Sequence, residues 1–292
     1  MIPAHVIKKI KRIHIKSKRT VSTVMAGQYR SVFRGSGIEF EEVREYSPGD
    51  DVKAIDWKVS ARLGKPFIKL YREERESIVM LLIDMSASLG FGTFSGQKLE
   101  KAAEVASVLA FNAIRNNDKV GVIFFTDQVE KYIPPKKGSG HIWRVIQEIF
   151  TFEPKGRGTD IACAVDYLSR IMKKRTFAFI LSDFLGKGYG RSLRTARRRH
   201  ELIGIRIFDP GAFELPSHGM IRIFDFETSR ALLVDAANKS TRQAFARMGQ
   251  DFHQRALKSF SKAKSDLIEM GTSDSVSDRL TLYFRQREKR FR

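Results

Sequence analysis

Three short segments carry oxygen-bearing side chains in positions from which they could meet. Asp84-Met85-Ser86-Ala87-Ser88 sets one carboxylate and two hydroxyls at alternate positions, directly after the apolar run from Ile78 to Ile83. Gly158-Thr159-Asp160 sets a hydroxyl at the start of an amphipathic stretch, and Leu181-Ser182-Asp183-Phe184 sets a carboxylate at the end of another apolar run. Hydroxyls and carboxylates converging from separate loops suit a hard cation such as Mg²⁺, which takes oxygen ligands and keeps several waters. Each segment alone has a plainer reading, since Ser and Asp after a strand are commonly turn residues or helix caps. For Asp160 the cap is favoured over a supporting role beside Thr159.

Such a site needs strands that end together. The runs from Ile78 to Ile83, Val120 to Phe125, Phe177 to Leu181 and Leu202 to Phe208 are apolar without alternation, as expected of strands buried on both faces of a parallel sheet. Helical patterns lie between them. Lys98 to Arg115 places Leu99, Ala102, Ala106, Leu109 and Ala113 on one face, and Thr159 to Lys173 does the same with Ala162, Val165 and Leu168. A helix is predicted from Thr241 to Lys264, and another from Ser277, as its N-cap, to Arg290. Strands alternating with helices imply an α/β fold with a doubly wound, mostly parallel sheet. In such a sheet the carboxyl ends of the strands form the ligand crevice, which is where Asp84 and Asp183 fall. The expected organisation is a basic arm with a small β/loop segment over residues 1–76, then the α/β domain over 77–292.

Other chemistries lack their residues. The six histidines are scattered without zinc spacing, and no Gly-x-Ser-x-Gly elbow or phosphate-binding glycine loop is present. Cys163, the single cysteine, falls within a predicted helix and reads as a buried, inert thiol. The strongest enzymatic rival is an Mg²⁺-dependent phosphotransferase using Asp84 as nucleophile. Such enzymes usually carry a second Asp two residues on, and here that position is Ser86.

With all three segments in order, the sequence resembles von Willebrand factor A domains. Their metal-ion-dependent adhesion site reads Asp-x-Ser-x-Ser, then a distant Thr, then a distant Asp. The resemblance implies that Asp84, Ser86, Ser88, Thr159 and Asp183 bind Mg²⁺, with Mn²⁺ as a substitute, and that the aspartates act mainly through water. Upstream, Phe40-Glu41-Glu42-Val43-Arg44-Glu45-Tyr46, Gly49-Asp50-Asp51, Ile55-Asp56-Trp57 and Lys69-Leu70-Tyr71-Arg72-Glu73-Glu74-Arg75 are similar to the bacterial family catalogued as domain of unknown function 58. That resemblance implies a MoxR-type AAA+ ATPase as partner. The acids of this segment read more readily as a clasp, paired with Arg44 and Arg62 and anchored by Trp57, than as a second active site.

Lys and Arg total 53 against 33 Asp and Glu, a net charge of +20. Basic clusters occur from Lys8 to Arg19, over Arg191, Arg194, Arg197, Arg198 and Arg199 on one predicted helix, and from Arg285 to Arg292. They suit an anionic partner or surface, yet no nucleic-acid motif accompanies them, so nucleic-acid binding is the alternative rather than the reading. With Ile7, Ile10 and Ile13, the N-terminal stretch reads as a docked arm or, less favoured, an amphipathic helix lying on a membrane. One cysteine and no apolar run near the roughly 18 residues of a membrane helix lead us to expect a cytoplasmic protein, with peripheral membrane attachment left open. The function expected is non-enzymatic: metal-dependent binding of a protein that supplies a carboxylate, as the adaptor of an ATPase in a chaperone or assembly system.

Overall fold

The computed structural model describes residues 37–74, 76–89, 97–225 and 230–290, together with Lys11, Arg12, Ser17 and Tyr29. The remainder of the basic N-terminal stretch, including Ile7, Ile10 and Ile13, lies outside the described residues.

Strands β1 (Gly37–Glu45) and β2 (Phe67–Glu74) pair antiparallel, joined through a 3-10 turn (Val52–Ala54) and helix α1 (Trp57–Leu63). The acids between them serve this local structure. Asp50 takes a two-pronged bond from Arg44, at 2.9 and 2.7 Å, and accepts from Ser47 N–H at 2.8 Å. Asp51 caps the 3-10 turn, and Asp56 caps α1 by accepting from Lys58 and Val59 N–H. Gly64 ends α1 at φ 72°, the left-handed geometry that glycine adopts without penalty. Two expectations need correction. Asp56 pairs with Lys69 at 3.3 Å, not with Arg62. Trp57 does not anchor the segment, because it is 69% exposed.

The four apolar runs become β3 (Ile78–Asp84), β4 (Lys119–Phe125), β6 (Phe177–Ser182) and β7 (Glu201–Phe208). They pair in parallel in the order β7-β6-β3-β4. β5 (Val129–Lys136) closes the β4 edge antiparallel, and β10 (Asp266–Gly271) closes the β7 edge in parallel. The sheet is therefore doubly wound and mostly parallel, as expected. Its two faces follow from the period of a strand. Val79, Leu81 and Ile83 of β3 pack with α2 (Gln97–Arg115), α3 (Ser139–Thr151) and α7 (Val276–Arg290). Met80 and Leu82 pack with α4 (Ile161–Ile171), α5 (Gly190–Arg197) and α6 (Lys239–Lys262). A separate hairpin, β8 (Met220–Asp225) and β9 (Arg230–Asp235), precedes α6. Among the described residues, no helix is long and apolar enough to cross a membrane.

Helix ends depart from expectation where side chains decide. α7 begins at Val276, and the Ser275 hydroxyl, not Ser277, accepts from the Asp278 N–H at 3.4 Å. α5 stops at Arg197, so Arg198 and Arg199 do not share its helix. Several of the clustered cations are structural. Arg197 pairs with Glu201, and Arg199 donates to the Ser169 carbonyl. Arg287 is buried and bridges Glu201 at 2.6 Å and Asp266 at 2.8 Å, joining α7 to two strands.

Candidate metal centre at the switch point of the sheet

From β3 the chain builds β4 and β5 to one side, then returns to build β6 and β7 on the other. The strand order reverses between β3 and β6, and the carboxyl ends of these two neighbours flank the crevice that such a reversal opens. Asp84 ends β3, and Ser182-Asp183 ends β6.

Asp84 is fully buried and held at both oxygens. Its Oδ1 accepts from the Ser86 N–H at 2.8 Å, and its Oδ2 accepts from the Ser182 hydroxyl at 2.6 Å. The hydroxyls of Ser86 and Ser88 lie 3.0 Å apart, the first buried and the second half-buried. Burial, together with the charge of the nearby Asp183, pushes the Asp84 carboxyl up to about 7. Asp183 is itself buried, and its Oδ2 meets the Lys98 ammonium at 3.1 Å.

The Thr159 loop is brought in by backbone contacts. Ala87 N–H donates to the Arg157 carbonyl at 3.1 Å, tying the serine loop to the segment before Thr159. On the other side, Gly186 packs against Thr159 so closely that an added Cβ would sit 3.2 Å from its carbonyl oxygen. Glu130 holds the same segment from β5 by accepting the N–H groups of Lys155 and Gly156 and the hydroxyl of Thr126. Gly156 must be glycine there, because a Cβ would collide with the side chains of Thr126 and Asp127. Asp160 caps α4, accepting from Ala162 at 2.8 Å and Cys163 at 3.3 Å, so it serves the helix.

Asp84, Ser86, Ser88 and Asp183 thus lie together, with Thr159 on the loop that adjoins both serine and Asp183 segments. Among the described residues, no group of three or more His, Cys, Asp or Glu is arranged for a metal. The donor set here is of another kind, two buried carboxylates with hydroxyls, which fits a hard divalent cation. A cleft of about 280 Å³ opens beside it, lined by Lys98, Asp183, Arg206, Phe208, Phe213 and His253 among others. Sequence reasoning gave no role to Ser182, Glu130 or Lys98. Their signals are faint: a hydroxyl before Asp183, an acid in an edge strand, and a lysine in the first turn of α2.

Cys163 is half-buried rather than fully buried, and burial followed by the charges of Asp160, Asp127 and Asp166 pushes its thiol up to about 12. A thiol pushed up in this way is held in its neutral, weakly nucleophilic form.

The family model described as protein of unknown function DUF58 matches residues 42–255. The chain belongs to the DUF58 family. Consistent with this, the DUF58 chain is 33% identical over 243 residues to protein Rv1480 of Mycobacterium tuberculosis, covering 82% of this chain and 76% of the relative. A shorter stretch of 107 residues is 25% identical to YeaD of Bacillus subtilis, covering 37% of this chain and 25% of that protein. Among solved structures, BatB from Bacteroides thetaiotaomicron is 16% identical with a TM-score of 0.44, covering 73% of this chain and 99% of that one. The von Willebrand factor A domain of SpRpn10 is 14% identical with a TM-score of 0.37, covering 70% and 93%.

Proposed function

We propose that this DUF58 protein is a non-enzymatic module that binds a protein partner through a divalent cation. Asp84, Ser86, Ser88, Thr159 and Asp183 hold the ion, Mg²⁺ with Mn²⁺ as a substitute. The observation that carries this reading is the burial of Asp84 and Asp183 side by side at the switch point, among hydroxyls. Two carboxylates out of water repel one another, and a cation offsets that cost. When bound, the ion supplies an electrophilic position for an anionic oxygen.

This chain's own residues then have distinct tasks. Ser182 and the Ser86 N–H fix the Asp84 carboxylate, and Glu130 fixes the loop that carries Thr159. The engagement of both Asp84 oxygens supports a holding role over that of a nucleophile. The partner is a protein that presents an Asp or Glu, with a MoxR-type AAA+ ATPase, or its client, as the family resemblance suggests. Internal pairing of Arg197, Arg199 and Arg287 favours this over nucleic acid as the ligand.

The test is co-purification of the full chain with a MoxR-type AAA+ ATPase from the same cell, in Mg²⁺ and in EDTA. Binding should fall at least about tenfold, or about 1.4 kcal/mol, in EDTA and in Ser88→Ala. A partner that binds equally well in EDTA to a fully folded protein overturns the metal-dependent reading.

A further inference from the structure

Lys98 stands where a lysine is disfavoured twice over. Its side chain is only 9% exposed, whereas lysines are almost never buried unless paired. It also sits in the first turn of α2, where the unsatisfied N–H groups and the helix dipole repel a cation. What offsets both costs is the candidate metal centre itself. The ammonium lies 3.1 Å from Asp183 Oδ2 and donates to the Ser88 carbonyl at 3.3 Å. It is thus bonded to two of the five residues assigned to the ion.

We propose that Lys98 is a built-in counter-ion that exchanges with the divalent cation. In the metal-free protein its ammonium neutralises one of the two buried carboxylates. On loading, Asp183 is shared with or surrendered to the ion, and the ammonium withdraws from the like charge. The cleft of about 280 Å³, lined by both Lys98 and Asp183, gives it room, and Glu214 is among the residues that line the same cleft. Exchange of this kind lowers the affinity for the ion and keeps the empty site folded. Loading therefore responds to a partner whose carboxylate adds a further ligand. The inference rests on the metal-site reading above, and deepens it by naming the residue that sets the affinity.

The experiment is Mn²⁺ titration of the full chain, following free Mn²⁺ by electron paramagnetic resonance, with thermal unfolding in parallel. Lys98→Met should bind Mn²⁺ at least about tenfold more tightly than the parent, a gain of about 1.4 kcal/mol. Lys98→Gln, which keeps a polar head without charge, should do likewise, and Lys98→Arg should stay within about threefold. In EDTA the neutral variants should melt below the parent, and saturating Mg²⁺ should raise their melting temperature by more than it raises the parent's. If Lys98→Gln is folded and its affinity is unchanged or weaker, while the parent binds Mn²⁺ in an Asp84-dependent way, the counter-ion role is overturned and the metal site stands. If neither the parent nor the neutral variants bind Mn²⁺, both readings fall.

Discussion

Ser182 offers a direct measure of how the centre is held, because its hydroxyl has two buried partners. It donates to Asp84 Oδ2 at 2.6 Å and accepts from the Phe184 N–H at 3.1 Å. Ser182→Ala leaves both without their partner. A hydrogen bond to a charged group contributes about 1.5–3 kcal/mol, and an orphaned buried N–H costs about 1–3 kcal/mol. Phe184 sits at φ 57°, so its backbone depends on that support. The expected loss, after partial relaxation, is about 2–4 kcal/mol. It is read by urea unfolding in EDTA at pH 8, above the value to which Asp84 is pushed. A double-mutant cycle with Asp84→Ala isolates the bond, and the coupling should be at least about 1 kcal/mol. If Ser182→Ala costs under about 0.5 kcal/mol, or its effect adds to that of Asp84→Ala without coupling, the hydroxyl does not hold the carboxylate.

Three further outcomes follow from features away from the centre. Burial pushes Asp118, which accepts from the Ser77 N–H at 2.8 Å, up to about 7. Its folded value exceeds its unfolded one, so its contribution is fully present below about pH 4 and is lost as pH rises to about 7. That amounts to about 4 kcal/mol. Asp118→Asn should flatten stability against pH over this window in denaturant titrations, and an unchanged slope would refute the shift. Gly204→Ala should destabilise by at least about 1–3 kcal/mol in the same assay, since the new Cβ collides with the Phe260 ring and crowds Leu267. Arg287→Met should cost about 1–3 kcal/mol, short of the roughly 3–5 kcal/mol of a fully orphaned buried charge, because Glu201 loses its closest cation but keeps Arg175 and Arg197 at 3.0 Å; a melting temperature within a degree of the parent's would sink that account.

Much of this arrangement was legible because burial on both faces leaves a simple trace. Four apolar runs marked the interior strands, and the hydroxyl and acid at their ends marked the crevice. The edge strands were not legible for the opposite physical reason. β5 contains Pro134 and Pro135 among Glu130, Lys131 and Lys136, and β10 is interrupted by Asp266 and Glu269, so neither stands out as an apolar run. The β8–β9 hairpin exposes Leu232 and Leu233, and packing leaves no periodic signature there. The five proposed residues are singled out by type and order alone, whereas Ser182, Glu130 and Lys98 act through contacts with residues 98, 26 and 85 positions away. Trp57 misled because a large aromatic beside capped helices suggests an anchor, while this one points outward.

The hydrogen bond between Ser182 and Asp84 spans 98 residues of sequence. It joins the half of the sheet made first to the half made second, across the seam where β6 docks on β3. Pairings between such distant segments form late, because the chain must close a long loop before they reward it. The centre therefore has no partial form on a growing chain: with β6 still unmade, Asp84 has neither its hydroxyl donor nor Asp183 beside it. The pairing of β6 on β3 thus completes the carboxylate pair, while β7 and β10, which follow in the chain, add to the sheet beyond it.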